Sequence, residues 1–300
     1  MKLSLVDKRT LLFMAIPCFL FVVTFSYIPI LGWIMAFFNY KPGLNLFQCD
    51  FTGLKYFKMA VSDPNVLLSL RNTLAMSCLG IITSPLPIVF AVFLSEIRSK
   101  TYKRLVQTFT TLPNFISWVL VFSIFFAMFS VTDGMVNKLL HTTLHWLNQP
   151  VNPLINDGAA WFIQTGISIW KSIGFGAIVY LAAISGIDPE MYDAADVDGA
   201  GRFKKMWYIT FPGLIPTYVT LLLLSIGSLL SNGFEQFYMF YNAMVSDHLT
   251  VLDYYLYQLG IAMNNYSLST AIGISKTLVS VILIMSANYI VKRVRGTAIF

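Results

Sequence analysis

The chain has 300 residues, of which 57% are hydrophobic and only 11% charged, and its mean hydropathy is +0.69. This composition excludes a soluble globular domain and indicates a protein that buries its apolar surface in lipid and in helix packing. The net charge of +6 does not indicate nucleic-acid binding, because the basic residues are grouped at the ends of apolar segments and form no stripe with interleaved aromatic residues.

Six apolar segments are long enough to cross a bilayer, for which about 20 residues are needed. They are predicted at about 11–38, 69–94, 106–129, 161–184, 213–230 and 268–291. The first is too long for a cleaved signal peptide and is expected to be retained, with Pro17 and Pro29 bending or interrupting it. We therefore predict one all-α membrane domain over residues 1–300, with six transmembrane helices.

The distribution of Lys and Arg predicts the orientation of these spans. Thirteen of the 20 Lys and Arg residues fall on the side of the two termini and the 186–212 connection, and five fall on the opposite side. The other two, Lys171 and Lys276, lie inside spans. Because cytoplasmic connections carry the excess of Lys and Arg, both termini and the 186–212 connection are expected in the cytoplasm.

The most polar long segment follows the fourth span. Five acidic residues fall within 188–198 and three basic residues within 202–205, with Gly199-Ala200-Gly201 between the two groups. An interior glycine costs a helix about 1 kcal/mol, so the pattern predicts a short helix, a turn of small residues and a second short helix that a proline stops. Asp193 is expected to begin the first helix, and Gly199 to allow a sharp turn with positive φ. On this pattern alone, a solvated connecting loop is the alternative.

Two short motifs in this segment, Asp193-Ala194-Ala195 and Asp198-Gly199-Ala200, match a known pattern. They resemble the E-A-A-x-x-D-G-A motif in the coupling loop of binding-protein-dependent ABC importer permeases, with Asp193 in place of the usual Glu. The resemblance implies that this loop docks on an ATPase and transmits its closure to the spans. The residues it implicates are Tyr192, Asp193, Ala194, Ala195, Asp198, Gly199, Ala200, Phe203 and Pro212.

The resemblance also implies a fold, partners and a location. The fold would be that of a type I ABC importer permease, multi-pass in a bacterial inner membrane. The partners would be a second permease subunit in a heterodimer, two copies of a cytoplasmic ABC ATPase and an extracytoplasmic solute-binding protein. The chain has no Gly-Lys dipeptide and hence no G-x-x-x-x-G-K-[ST] phosphate loop. ATP and magnesium are therefore expected on the separate ATPase, and no cofactor on this chain.

Within importers, D-A-A-D-V-D-G-A-G-R-F with W-Y-I-T-F-P most resembles the carbohydrate-uptake permeases. Three further stretches narrow this resemblance. D-K-R-T-L-L-F-M-A-I-P, F-N-Y-K-P-G and T-L-P-N-F-I-S-W resemble the polysaccharide or aldouronate (LplB-like) branch, which implies an oligosaccharide substrate. Polar residues within or beside spans are candidates for its path. By position and by resemblance to sugar permeases, the candidates are Trp170, Lys171, Phe175, Asn232, Glu235 and Gln236.

Some of these candidates have other interpretations. Asn232 and Glu235 share a face only if the fifth span stays helical to that point. Residues 232–241 are alternatively an interfacial turn with an aromatic belt. Lys171 alternatively extends its ammonium to the membrane surface.

The sequence predicts no catalytic and no metal site, hence a permease without enzymatic activity of its own. His141 and His145 lie four residues apart but lack the Glu of the H-E-x-x-H zinc motif, which favours a polar helix face. Cys18, Cys49 and Cys78 are too scattered for a disulfide framework. The alternative function is an ion- or proton-coupled secondary carrier, which would need paired ionisable groups at mid-membrane and similar halves; neither is visible in the sequence.

Overall fold

The computed structural model describes residues 5–143 and 151–295, which form helices and no β-strand. Within these residues, five helices are long and apolar enough to cross a membrane, and there are six such spans when a bent pair of helices is counted as one. In chain order, the spans are Thr10–Phe37, Pro64–Ser95, Lys100–Phe115 with Trp118–Phe129, Asp157–Ser185, Arg202–Gly227 and Tyr266–Arg293. The predicted all-α class is confirmed.

Two compact units are present, one reaching to Val66 with Leu256–Leu278 and the other comprising Leu67–Tyr255 with the chain from Val279.

The smaller unit contains the first span and the start of the sixth. The first span is α-helical over Leu5–Val22, π-helical over Val23–Tyr27 and 3₁₀-helical over Ile28–Phe37. Pro17 lies inside the α-helix, whereas the second proline, Pro29, coincides with the change to the 3₁₀ form. A short amphipathic helix, Lys55–Ser62, follows.

The core of the larger unit lies where its second, fourth and fifth spans pack together. The second span is interrupted by a turn between the helices Pro64–Thr83 and Leu86–Ser95. Its second half packs on the fourth span, the α-helix Ala160–Ser185. The buried side chains of this core are Ile88, Ala91, Val92, Ala177, Tyr180, Met206 and Leu214.

The third span is sharply bent, which the hydropathy of residues 106–129 did not predict. Its α-helix Lys100–Thr111 ends in a 3₁₀ turn, Leu112–Phe115, and a second helix, Trp118–Phe129, leaves at an angle of 105°. Pro113 has no N–H to continue the helix. Ile116 and Ser117 then adopt extended backbone conformations, with ψ of 133° and 153°.

The fifth span begins at Arg202, well before the predicted start at 213. The short helix Arg202–Lys205 continues through a π-helical turn, Met206–Thr210, into the α-helix Phe211–Gly227. The expectation that a proline stops the second short helix is therefore wrong. Pro212 lies in the first turn of the last segment, where its missing N–H is tolerated, directly after the wider π turn.

This span ends at Gly227, so the helical face proposed for Asn232 and Glu235 does not form. A turn with Gly233 at φ +84° follows, and a new helix, Glu235–Phe240, begins after it. The two residues therefore lie on separate elements.

Gly174 and Gly166 on the fourth span provide a test of this packing. A Cβ at Gly174 would overlap the Thr110 carbonyl group, whereas at Gly166 it would meet no atom within 4 Å. Gly174→Ala should destabilise the protein by about 1–3 kcal/mol through overpacking. Gly166→Ala should be neutral or stabilising by up to about 1 kcal/mol, because alanine favours the helix. Thermal unfolding of the purified variants measures both changes in stability. Equal shifts of the melting temperature in the two variants would contradict the packing at Gly174.

Candidate functional site

The polar loop after the fourth span contains a well-capped helix, Pro189–Val197. Asp188 caps its start, because the backbone N–H of Glu190 donates to Asp188 Oδ1 at 3.0 Å. Pro189 occupies the first turn, where no N–H is needed. The expectation that Asp193 begins this helix is therefore wrong. Asp193 lies in its middle and is exposed.

The end of this helix is a glycine turn. Gly199 has φ +72°, a conformation that residues with a Cβ rarely adopt. The Ala200 N–H donates to the Ala195 carbonyl at 2.8 Å, and the Gly199 N–H donates to the Asp196 carbonyl at 3.1 Å. This pair of bonds is a Schellman motif, which satisfies the last carbonyl groups of the helix and reverses the chain.

Two side-chain contacts join the loop helix to the start of the fifth span. Lys205 Nζ lies 2.7 Å from Asp196 Oδ1 across the glycine turn. The Tyr192 hydroxyl lies 3.0 Å from Thr210 Oγ1. Both contacts reach residues of the continuous Arg202–Gly227 helix. Two side-chain contacts therefore link the loop helix to the fifth span.

The outer surface of this loop carries apolar side chains that nothing in the described chain covers. Val197 is 89% exposed and Phe203 is 77% exposed. Beside them, Ala194 and Ala195 present little side chain, so another protein can approach the helix backbone closely. Exposed apolar side chains on a polar loop are typical of an interaction surface. Pro212 lies apart from it, within the fifth span.

A cavity of about 260 Å³ lies in the larger unit, between its second and fourth spans and the chain that follows the fifth. No charged side chain is among the described residues that line it. Its polar lining consists of hydroxyl and amide groups. They include Ser84, Thr165, Ser168, Ser172, Asn232 and Gln236.

Both amides at the cavity are held by hydrogen bonds. Gln236 Nε2 donates to Gln164 Oε1 at 2.8 Å, and Ser168 Oγ donates to Gln236 Oε1 at 2.8 Å. Asn232 Nδ2 donates to Ser77 Oγ at 3.1 Å. Groups fixed in this way can orient a polar ligand without first being ordered by it.

The structure brings together only two of the six predicted substrate-path residues, Asn232 and Gln236. Trp170 instead packs edge-on against Phe125, with ring centroids 5.6 Å apart. Glu235 is exposed at the start of its short helix. The other two, Lys171 and Phe175, face the bend in the third span.

Sequence reasoning missed the polar face of the fourth span. Gln164, Ser168 and Ser172 are each four residues apart, so they lie along one face of the helix. This spacing was available in the sequence as a signal. Among the described residues, no group of three or more His, Cys, Asp or Glu could hold a metal ion. His145 and the side chain of His141 lie outside the described residues.

Comparisons with known proteins identify relatives over most of the chain. A family model described as "binding-protein-dependent transport system inner membrane component" matches residues 77–296. Protein LplB of Bacillus subtilis (strain 168) is 40% identical, covering 99% of this chain and 93% of its own. The polygalacturonan/rhamnogalacturonan transport system permease protein YteP of the same organism is 37% identical, covering 97% and 90%. A chain in the crystal structure of a bacterial alginate ABC transporter, in complex with alginate pentasaccharide-bound periplasmic protein, has a TM-score of 0.87 and 32% identity over 98% of both chains.

Proposed function

The chain belongs to the family of binding-protein-dependent transport system inner membrane components, and we propose that it moves oligosaccharides through the membrane as the permease subunit of an ATP-driven importer. Membership of this family decides against the secondary-carrier alternative. Hydrolysis of ATP with magnesium is assigned to a separate ATPase. The other partners are a second permease subunit and an extracytoplasmic solute-binding protein that delivers the sugar.

One observation carries this proposal. A single helix of 26 residues, Arg202–Gly227, connects the polar loop to the turn that leads into the cavity. At 1.5 Å per residue it is roughly 40 Å long. A force applied to the loop by a closing ATPase would move this helix as a rigid body and so displace Asn232 and Gln236 in the cavity. The distribution of Lys and Arg supports a cytoplasmic loop and cytoplasmic termini in an inner membrane.

The chemistry of the cavity supports a carbohydrate substrate. Sugar hydroxyl groups donate and accept hydrogen bonds, and the lining offers the same kinds of partner in amides and serine hydroxyls. The relatives point to the same substrate class, because YteP is named for polygalacturonan and rhamnogalacturonan, and the similar structure is named for alginate.

Co-purification with the products of neighbouring genes tests the docking loop. The tagged chain should bring down an ABC ATPase. Ala194→Glu with Ala195→Glu should abolish this binding, because two bulky charged groups would separate the surfaces. Ala194→Ser with Ala195→Ser, which keeps the side chains small, should retain it. An ATPase held equally by the glutamate variant, or no ATPase with the well-folded parent, would contradict the docking role.

Substitutions at Gly199 and Gly201 test whether transport depends on the conformation of the glycine turn. Both have open space at the Cβ position, but φ is +72° at Gly199 and −68° at Gly201. Gly199→Val should therefore distort the turn at a cost of about 1–2 kcal/mol. In the assembled transporter it should lower uptake severalfold while ATP hydrolysis continues. Gly201→Val should remain coupled, and normal coupled uptake by Gly199→Val would exclude this role of the turn.

Transport assays test the substrate class. Proteoliposomes that contain the complete transporter should accumulate labelled oligogalacturonides, or arabino-oligosaccharides, for which a further relative, AraP of Bacillus subtilis (strain 168), is named, when ATP and the binding protein are supplied. Gln236→Leu should reduce this uptake about tenfold, because it removes an amide and leaves Gln164 and Ser168 without their partner. The control is Gln107→Leu, a half-buried glutamine away from the cavity. Uptake of neither sugar class, or an unchanged rate in Gln236→Leu, would count against the proposal.

A further inference from the structure

The fourth span carries a buried lysine that the transport proposal does not use. Lys171 is 8% exposed and lies near the middle of the helix Ala160–Ser185. Its Nζ donates to the carbonyl oxygens of Pro113 at 3.1 Å, Asn114 at 2.8 Å and Ile116 at 2.7 Å. A lysine ammonium has three hydrogens. All three are therefore engaged by the backbone of the third span, and the side chain does not extend to the membrane surface.

These three carbonyl groups lie at the bend of the third span. Pro113 and Asn114 belong to the 3₁₀ turn that ends the helix, where carbonyl groups carry the partial negative charge of the helix dipole. The Pro113 carbonyl also accepts from the Ile116 N–H at 3.2 Å, and Ile116 itself lies in the extended segment after the turn. Lipid supplies no donors to carbonyl groups at such an interruption. A single ammonium at this place supplies the hydrogen bonds and the opposite charge together. The Trp118 ring, with its centroid 5.3 Å from the same ammonium, contributes a cation–π contact.

Two neighbours of Lys171 fit the same bend by different means. Gly174 lies so close to the Thr110 carbonyl group that no Cβ has room. Phe175 meets Phe115 edge-on, with ring centroids 6.2 Å apart. These positions, three and four residues after Lys171, lie on one face of the helix.

We propose that Lys171 is a positioning residue, which holds the third span bent at residues 112–117 and thereby supports the short helix that carries Gln236 into the cavity. Beyond the bend, the helix Trp118–Phe129 packs Phe122 against Phe240, with ring centroids 5.2 Å apart. Phe240 ends the short helix that carries Gln236 into the cavity. Only the consequence for the cavity rests on the proposed function. The role of Lys171 in holding the bend does not.

Distances between spin labels on the two arms of the bend test this assignment directly. Tyr102 and Phe126 are 59% and 51% exposed and are suitable label sites after Cys18, Cys49 and Cys78 are replaced by serine. The sample is the assembled transporter in lipid nanodiscs. Straightening arms of this length would lengthen the distance by about 10 Å, at 1.5 Å per helical residue.

The variants are expected to differ in the distance between the two spin labels. Lys171→Met should shift the distances towards this longer limit and broaden them, because the carbonyl groups lose their donors. Lys171→Arg keeps the charge and the donors and should retain the parent distances. Lys276→Met removes another lysine from inside a span and should also retain them. Two results would overturn the assignment. One is a parent-like distance between the labels in Lys171→Met, and the other is a distance in Lys171→Arg that is lengthened as much as in Lys171→Met.

Two further measurements keep the outcome decisive. If Lys171→Met yields no folded protein, Lys171→Gln retains two donors without the charge. Longer distances in this variant support the role of the ammonium, and parent distances overturn it. In uptake assays with oligogalacturonides and arabino-oligosaccharides, Lys171→Met should raise KM more than it lowers the maximal rate. A parent transporter that carries neither sugar refutes the proposed function and leaves the distance result standing.

Discussion

The structure depends on one constraint, which is that lipid offers no hydrogen bonds to a polypeptide backbone. An unbroken helix satisfies its own peptide groups, but the larger unit has interruptions near residues 84, 116 and 230. At the last two, a polar side chain from another segment supplies a partner to the backbone. The Lys171 ammonium does so at the third span. The Ser77 hydroxyl donates to the Leu229 carbonyl, and Asp253 accepts the Asn232 N–H at 3.1 Å.

These interruptions are also where the cavity lies. Ser84 and Asn232 stand at two breaks in the helices, and both line it. Helix ends are the places where a membrane protein can present polar backbone groups within the membrane, because the peptide groups of a regular helix are paired with one another. A hydroxyl- and amide-lined cavity and a set of broken spans are therefore two results of the same physics. The Arg202–Gly227 helix meets one of these breaks at its far end, which is the route from the loop to the cavity in the function that we propose.

Much of this arrangement could be predicted from the sequence, and the exceptions have physical reasons. The six apolar segments and the positive φ at Gly199 follow from composition and from a residue type with few alternatives. The bend at residues 112–117 has no hydropathy signal, because Leu112 and Phe115–Ile116 are as apolar as a straight span. The early start of the fifth span is concealed by Arg202, Lys204 and Lys205, whose charges mark a loop although their backbone is helical. The partners of Lys171 are carbonyl groups, which every residue carries, so no residue type identifies them.

The exposed apolar side chains of the loop have a consequence for how the protein is made. Val197 and Phe203 are exposed in the isolated chain, and exposed apolar surface is a target of chaperones and proteases. A chain synthesised in excess of its partner would therefore remain in a form prone to aggregation and degradation. If the loop docks as we propose, balanced production of the subunits follows as a requirement, because these two side chains would stay exposed on a chain without its partner.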